Sequence, residues 1–258
     1  ELSGSRPFVL LALYCSLSTM SSVLITGANR GIGLGLVHQF LNNPAVNSVF
    51  ATARNVADAK ELQAISNPKL HLVPLTLGCD DSIKQAVVEV EKVVGDNGLD
   101  LLINNAGIFY RTNIDSNITR KDSIEQLEMN SVAPLMIAVA FRDLLKKAAL
   151  KKGHAQIANI SSTLGSIASA NGVTPFTVVY SMSKAALNML TRRISIEWAN
   201  DNIRATSFCP GWVKTDMGSQ AAMLTVEQST APLAQSIFNL KAENNGLFYN
   251  QEGQPIPW

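Results

Sequence analysis

Tyr180 and Lys184 stand four positions apart in the run Tyr-Ser-Met-Ser-Lys, a spacing that places both side chains on one face of a helix. A free tyrosine titrates near pH ~10, which makes it a poor proton donor or acceptor at neutral pH. A lysine cation one turn away stabilises the phenolate and lowers the tyrosine pKa. The pair therefore predicts general acid–base chemistry, although this spacing also occurs by chance.

A second chemical pattern is the run Thr26-Gly-Ala-Asn-Arg-Gly-Ile-Gly33, which follows an apolar segment and opens a helical one. Glycines let the backbone turn tightly and approach a pyrophosphate, whose charge the N-terminus of a helix stabilises. The run therefore predicts a dinucleotide site. A plain tight turn is the alternative that the glycines alone leave open.

Two further polar runs end predicted strands. Asn104-Asn-Ala-Gly107 follows the fourth strand, at the edge where doubly wound sheets bind ligands, and Asn159-Ile-Ser-Ser162 begins at the end of the fifth. Ser161 and Ser162 compete for the role of a hydroxyl that hydrogen-bonds a carbonyl oxygen or an oxyanion. A polar turn at a strand end is the alternative for a run of this kind standing alone.

The elements that must position these residues alternate between strand-like and helix-length segments. This alternation predicts a doubly wound (Rossmann) α/β fold, with a mostly parallel seven-stranded sheet and helices on both faces. We expect Asp80 or Asp81 to cap the third helix. The predicted strands are 23–26, 46–52, 70–75, 99–103, 156–160, 203–208 and 246–249, and the predicted helices are 31–41, 57–65, 81–94, 123–149, 180–199 and 226–240.

Composition narrows the functional classes. The chain has 258 residues, of which 47% are hydrophobic, and its formal net charge is +1. That length suits one large α/β domain, and the charge balance argues against nucleic acid as a partner. Neither the cysteines nor the histidines show a ligand spacing, so we predict no metal site and no disulfide framework among Cys15, Cys79, Cys209, His38, His71 and His154.

Residues 1–19 are interpreted separately from the single domain predicted over residues 20–258. An apolar run at 8–17 follows Arg6 and resembles a signal peptide, but it is too short to span a bilayer, which takes ~20 residues. Met20 immediately precedes the first strand. We therefore interpret residues 1–19 as an expression-derived or gene-model extension that is dispensable, and we expect a cytoplasmic protein without a membrane partner.

The glycine run, Asn104-Asn-Ala-Gly107, Asn159-Ile-Ser-Ser162 and the Tyr180–Lys184 pair, in that order, resemble the short-chain dehydrogenase/reductase family over residues 20–258. The resemblance implies that Tyr180 donates the proton, and that Lys184 lowers its pKa and binds the nicotinamide ribose. It favours Ser162, the second serine of the pair, for positioning the carbonyl. It also implies that Asn130, inside a long helix, holds a water that relays protons to the lysine; a solvent-facing asparagine is the alternative.

The same resemblance implies a set of residues that bind the cofactor. Asn104-Asn-Ala-Gly107 would line the adenine-ribose side and steady the sheet. Pro210-Gly-Trp-Val-Lys-Thr-Asp216 resembles the family segment that holds the nicotinamide carboxamide through Val213 and Thr215. The implied set is Gly27, Asn29, Arg30, Gly31, Ile32, Gly33, Arg54, Asn104, Ala106, Gly107, Tyr180, Lys184, Pro210, Gly211, Val213 and Thr215.

Two arginines favour NADPH over NADH. NAD-selective relatives place an acid at the end of the second strand, whereas this chain has Ala53 and then Arg54, and Arg30 lies inside the glycine run. Guanidinium groups suit a 2′-phosphate because they offer forked donors and a fixed charge. Two solvated surface charges are the alternative. Thr76 stands where relatives often carry an adenine-contacting aspartate, which implies weaker adenine anchoring.

The substrate side departs from the common family pattern. Ser162 and Tyr180 lie 18 positions apart, about five more than in many members of the family, and the extra residues fall within 164–179. A loop at this place tolerates insertion, and we expect it to border the substrate pocket.

The sequence therefore predicts an NADPH-dependent carbonyl reductase acting on an aldehyde, ketone or quinone. The run from Gly246 to Trp258 further resembles the sniffer and C-factor group of carbonyl reductases. A nucleotide-binding regulator without turnover and an epimerase or dehydratase on the same fold are the alternatives. Helices 123–149 and 180–199 resemble those that pair in family dimers, so we expect a homodimer or homotetramer.

Overall fold

Seven parallel strands form one sheet in a computed structural model that describes residues 20–170 and 176–258. The strand order is β3-β2-β1-β4-β5-β6-β7, and every neighbouring pair is parallel. The predicted doubly wound fold is confirmed, and the sheet is parallel throughout. The strands are β1 Ser22–Ile25, β2 Ser48–Ala53, β3 Leu70–Pro74, β4 Leu101–Asn104, β5 Ala155–Ile160, β6 Ile203–Cys209 and β7 Phe248–Asn250.

Helices cover both faces of the sheet. The helices are α1 Gly31–Asn42, α2 Lys60–Gln63, α3 Asp80–Val94, α4 Arg120–Leu127, α5 Ala133–Lys152, α6 Val178–Glu197 and α7 Val226–Phe238. Successive strand residues point to opposite faces, so Leu24 and Ile25 belong to two different apolar clusters. Burial on both faces explains why residues 23–25 of β1 form a continuous apolar run.

The order of the strands reverses between β1 and β4. In open parallel sheets such a reversal leaves a crevice beyond the carboxyl ends of the strands, because the connections on its two sides run to opposite faces. The glycine run follows β1 and Asn104-Asn-Ala-Gly107 ends β4. The fold therefore brings both runs to the edges of one crevice.

Two local expectations are wrong. The predicted helix over 57–65 shrinks to Lys60–Gln63, because the Asn55 side chain accepts from the Ala57 N–H and holds the preceding residues in a turn. Helix α3 has Cys79 as its N-cap, without a side-chain capping bond. Asp80 and Asp81 instead occupy its first turn, where a negatively charged carboxylate interacts favourably with the helix dipole.

The predicted helix over 123–149 is two α-helices joined by a π-helical turn, Glu128–Val132. Pro134 explains the interruption because it has no N–H to donate to the Asn130 carbonyl four positions earlier, as an α-helix would require. π-Helical turns occur frequently at functional sites. The turn carries Asn130, so it places a predicted site residue at the irregular part of the helix.

No helix within residues 20–170 and 176–258 is long and apolar enough to cross a membrane. In the same part of the chain, no three His, Cys, Asp or Glu side chains cluster as a metal would require. Residues 1–19 lie outside the described part, and so does the interpretation of them as a dispensable extension.

Candidate active site

The glycine turn after β1 has no room for side chains. Gly27 and Gly31 have φ of 62° and 55°, a left-handed conformation that glycine adopts without strain. A Cβ on Gly27 would lie 2.8 Å from the Ala106 Cβ, and a Cβ on Gly31 would lie 3.1 Å from the Thr215 Cγ2. The turn is therefore packed between the segments that follow β4 and β6.

Helix α1 begins directly at this turn. Its N-cap, Arg30, makes no side-chain capping bond, and its first turn contains no acidic residue. The first N–H groups of a helix have no partner inside the helix, and here neither the N-cap side chain nor an acidic side chain of the first turn competes with an anion for them. The bare glycine turn and the uncapped helix start together fit the pyrophosphate of a dinucleotide.

Thr26 and Asn105 were missed as site residues by the sequence analysis. The Thr26 hydroxyl accepts from the N–H groups of Asn105 and Ala106, each at 3.0 Å. The Asn105 amide donates to the carbonyl oxygens of Thr26 and Gly27 at 2.9 and 3.1 Å. These bonds join the ends of β1 and β4, and the sequence signal was a polar threonine closing an apolar strand.

Asn104 supports the sheet from inside. Its side chain is buried and donates to the Asn159 Oδ1 at 2.8 Å. The Asn159 amide donates to the Thr191 hydroxyl at 2.8 Å, and this hydroxyl lies 2.8 Å from the Ser207 hydroxyl. The polar chain connects β4, β5, α6 and β6. Asn104 therefore stabilises the strands that carry the cleft residues. Ala106 and Gly107 follow it in the segment after β4.

Tyr180 and Lys184 lie on the first turns of α6, next to the end of β5. Lys184 is 4% exposed, and its ammonium donates to the Ile160 carbonyl oxygen at 2.8 Å. The ammonium lies 5.6 Å from the centre of the Tyr180 ring. Phe109, which the sequence analysis did not select, packs edge-on against that ring with a centroid distance of 5.1 Å. The helical spacing thus brings phenol and ammonium together as predicted.

The direction predicted for the Tyr180 pKa is wrong for this geometry. Burial raises the pKa of Tyr180 above its ordinary value, and the charge of neighbouring Cys209 adds to the effect. Burial also lowers the pKa of Lys184 to about 8, against a smaller opposing influence from Cys209. Loss of hydration disfavours the charged form of each group. Tyr180 therefore keeps its proton at neutral pH.

The two competing serines have different surroundings. Ser161 is buried, and its hydroxyl donates to the Lys184 main-chain oxygen at 3.4 Å. Ser162 is half-buried, and its oxygen accepts from the Leu164 N–H at 3.2 Å. Accepting that bond leaves the Ser162 O–H group as a donor. The geometry thus separates a serine that supports α6 from one suited to donate to a carbonyl.

Asn130 is completely buried. Its Oδ1 accepts from the Ile108 N–H at 2.8 Å, and its Nδ2 donates to the Ile108 carbonyl oxygen at 2.9 Å and the Ser183 hydroxyl at 3.0 Å. An amide has two N–H donors, and both are committed to protein atoms. The side chain therefore fastens the segment after β4 to α6, and the water relay through Asn130 stays a prediction.

The segment after β6 lies across the glycine turn. Gly211 has a φ of 80°, Val213 is buried, and the Thr215 hydroxyl accepts from the Gly218 N–H at 3.0 Å. The Pro210 carbonyl accepts from the Ser229 hydroxyl at 2.6 Å, which fixes the start of the segment to α7.

Arg30 pairs with Asp216 at 2.5 Å across the mouth of the cleft, and both side chains are exposed, at 67% and 76%. An exposed ion pair contributes only ~0.2–1 kcal/mol, so a doubly charged phosphate can displace this carboxylate. Arg54 follows β2 and is exposed. The other glycine-turn residues of the predicted set, Asn29 and Ile32, are partly exposed at the same turn.

The segment predicted to border the substrate is only partly described. Residues 163–170 and 176–179 have defined positions, and residues 171–175 lie outside the described part. Phe176 lies beneath the Arg111 guanidinium, 5.0 Å from its ring centre. The Thr112 N–H donates to the Phe176 carbonyl at 3.1 Å, so the end of this segment is fixed to the residues that follow β4.

Comparison with known proteins agrees with this arrangement. A profile of the short chain dehydrogenase family matches residues 21–223. An uncharacterized oxidoreductase of Schizosaccharomyces pombe is 33% identical over 263 residues, covering 94% of this chain and 100% of that protein.

Two solved structures are similar over most of the chain. The carbonyl reductase Sniffer of D. melanogaster is 40% identical with a TM-score of 0.88, over 93% of this chain and 100% of that one. An NADPH-bound carbonyl reductase from chicken fatty liver is 43% identical with a TM-score of 0.87, over 93% of this chain and 99% of that one. The predicted resemblance to the sniffer group is confirmed.

Proposed function

We propose that this chain, which belongs to the short-chain dehydrogenase family, is an NADPH-dependent carbonyl reductase. The observation that carries the proposal is the cluster at the carboxyl edge of the sheet. A protonated tyrosine, a lysine and a serine with a free donor lie beside a glycine turn shaped for a dinucleotide. The similar reductases, one of them NADPH-bound, support the cofactor.

The chain's own residues hold the substrate and supply the proton. NADPH supplies a hydride when bound. Ser162 donates a hydrogen bond to the carbonyl oxygen, which stabilises negative charge as that oxygen gains electrons. Tyr180 transfers its hydroxyl proton to the same oxygen and so completes the alcohol. Lys184 stabilises the phenolate that remains on Tyr180, while Asn130 keeps the facing segment in place.

A carbonyl panel tests the proposal. Purified protein is mixed with NADPH and with an aldehyde, a ketone or a quinone, and cofactor oxidation is followed together with the alcohol product. We expect carbonyl-dependent oxidation with at least one class. NADPH binding without turnover of any class would instead identify a cofactor-binding regulator, and an isomerised or dehydrated product would identify the epimerase or dehydratase alternative.

We expect NADPH to be preferred over NADH, and Arg54→Asp to abolish the preference. A hydrogen bond to a charged group contributes ~1.5–3 kcal/mol, which corresponds to about 10–100-fold in kcat/KM for NADPH. The measurement is kcat/KM for both cofactors in parent and variant. Arg120→Asp, an equal charge change at an exposed residue on α4, is the control. Equal use of the two cofactors by the parent would refute the assignment.

We also propose that the chain forms a homodimer or homotetramer in the cytoplasm. Helices α5 and α6 expose apolar side chains that a subunit interface would bury. Light scattering should show a species larger than the 27.8 kDa chain, and Val139→Arg should shift it toward the monomer. Leu150→Arg, at an exposed apolar residue near the end of α5, is the control. Besides Leu150, the exposed apolar side chains of the two helices are Leu135, Met136, Val139, Met182, Met189 and Ile196, and exposed Val132 directly precedes α5.

One light-scattering result would contradict the proposed oligomer. If the parent scatters only as a species of monomer mass in dilute solution, the exposed faces of α5 and α6 do not join two copies. The domain proposal, one reductase domain over residues 20–258, does not depend on that outcome.

A further inference from the structure

The last four residues, 255–258, which we call the tail, run back along β7. The Asn250 side chain accepts from the N–H groups of Glu252 and Gln254, at 3.0 and 2.8 Å, and so fixes a tight reversal. The Ile256 N–H then donates to the Phe248 carbonyl at 2.8 Å. The Trp258 ring stacks on the buried Phe248 ring, with centroids 5.6 Å apart and planes 17° from parallel. The tail therefore has a defined position.

From β7 the tail reaches the segment that follows Ser162. The Ser166 hydroxyl is buried and lies 2.6 Å from the Pro257 carbonyl oxygen, to which it donates. The Ala168 N–H donates to the main-chain oxygen of Trp258 at 2.8 Å. These two contacts join parts of the chain that are 91 and 90 positions apart. They fix the outer side of residues 163–169.

The inner side of the same segment lies against α6. The Asn188 amide donates to the Gly165 carbonyl at 3.1 Å. A Cβ on Gly165 would lie 2.7 Å from the Lys184 Cβ, so the two backbones are already in contact. The Gly165 N–H donates to the Ser162 carbonyl at 2.8 Å. Ser162 is therefore one short turn away from contacts with both α6 and the tail.

We propose that the tail is a strut that holds the Ser162 turn against α6, and that Trp258 and Ser166 are positioning residues for carbonyl reduction. This inference rests on the proposed function, because it assigns a role in the same reaction. Without the strut, Gly165 and its neighbours lose the support on their outer side and keep the contacts on their inner side to α6. The Ser162 hydroxyl then loses a fixed distance to the Tyr180 hydroxyl, while the glycine turn that binds the cofactor is unaffected.

Steady-state kinetics of two variants test the strut, one changed in the tail and one in the segment that the tail contacts. Trp258→Ala removes the stacked ring, and Ser166→Ala removes the donor to the tail. Because misplacement of a reacting group by ~1 Å costs up to ~10²-fold, we expect kcat for the carbonyl to fall about 10-fold in each variant. The dissociation constant of NADPH, measured by its fluorescence, should not change. Gln254→Ala, which alters an exposed side chain directly before the tail and leaves its backbone bonds in place, is the control and should behave as the parent.

A double variant distinguishes one strut from two separate effects. Residues that act through one contact show non-additive losses, so Trp258→Ala with Ser166→Ala should lose little more kcat than either change alone. A merely structural role would lower the melting temperature and weaken NADPH binding in parallel, with kcat unchanged in the folded protein. That pattern, or full additivity, would overturn the inference.

Hydrogen exchange separates failure of the strut from failure of the proposed function. Loss of a contact of ~1 kcal/mol raises the open population about 5-fold. We therefore expect the Ala168 and Gly165 amides to exchange about 5-fold faster in Trp258→Ala, and the Leu36 amide within α1 to exchange as in the parent. If the parent reduces no carbonyl, the proposed function fails and exchange still decides the strut. Unchanged exchange at Ala168 and Gly165 would overturn it.

Discussion

Tyr180→Phe should remove most carbonyl reduction while NADPH binding survives. General acid–base groups contribute ~10²–10⁴ in rate, and we expect kcat to fall within that range. The substitution removes one hydroxyl and keeps the ring, so the edge-on contact with Phe109 at 5.1 Å is conserved. Lys184 keeps its bond to the Ile160 carbonyl as well. The loss therefore reports the missing proton donor and not a change of shape.

The measurement is the single-turnover rate of NADPH oxidation, together with the dissociation constant of NADPH. Tyr249→Phe is the matched control. Its hydroxyl accepts from the Asn244 amide at 2.8 Å on the β7 side of the sheet, so that variant loses a tyrosine hydroxyl without touching Lys184. Near-normal turnover by Tyr180→Phe would contradict the assignment of the proton donor.

The protonation states of half-buried Tyr180 and buried Lys184 favour the reductive direction. Because burial raises the pKa of Tyr180, the phenol holds its proton at neutral pH and is ready to donate it. Lys184, with a pKa lowered to about 8, is still mostly an ammonium below that pH. Below pH about 8 both groups are therefore in the protonation states that reduction requires. Alcohol oxidation needs the phenolate, which this site disfavours until pH is higher.

The sequence predicts those parts of the site that depend on local pattern. The apolar residues 23–25 predict a strand, and the glycine run that follows them predicts a turn. The four-residue spacing of Tyr180 and Lys184 fixes their common face once α6 forms. The order of the motifs along a parallel sheet then brings them to one edge, because every strand ends there.

The remainder of the site depends on contacts that have no local signal. The Arg30–Asp216 pair joins residues 186 positions apart, and the bond from Ser166 to the tail spans 91. The π-helical turn at Asn130 did have a local signal in the sequence, because Pro134 lacks the N–H that an α-helix needs at that position. The sequence predicts a lowered Tyr180 pKa, whereas burial raises it. The cost of burying a charge depends on which residues surround it in the folded protein.

Gly33→Ala should weaken NADPH binding about 100-fold. A methyl group there would overlap the Gly27 carbonyl oxygen, and it would lie 2.7 Å from the Asn105 Nδ2 and 2.9 Å from the Ala28 Cα. Two of these atoms belong to the backbone of the turn, so the turn itself must move. Overpacking of this kind costs ~1–3 kcal/mol, and 2.7 kcal/mol corresponds to about 100-fold in affinity.

Helix propensity alone predicts that Gly33→Ala stabilises α1, so the variant distinguishes a clash with the turn from a weakened helix. Alanine is a better helix former than glycine by ~0.8–1 kcal/mol, and Gly33 lies inside α1. A loss of NADPH affinity therefore reports the clash with the turn and not a weakened helix. Gly153→Ala is the control: Gly153 has a φ of 88°, so alanine is strained there, yet its Cβ would meet nothing within 4 Å. We expect that variant to lose stability and keep its NADPH affinity. If Gly33→Ala binds NADPH as tightly as the parent, the glycine turn does not hold the pyrophosphate.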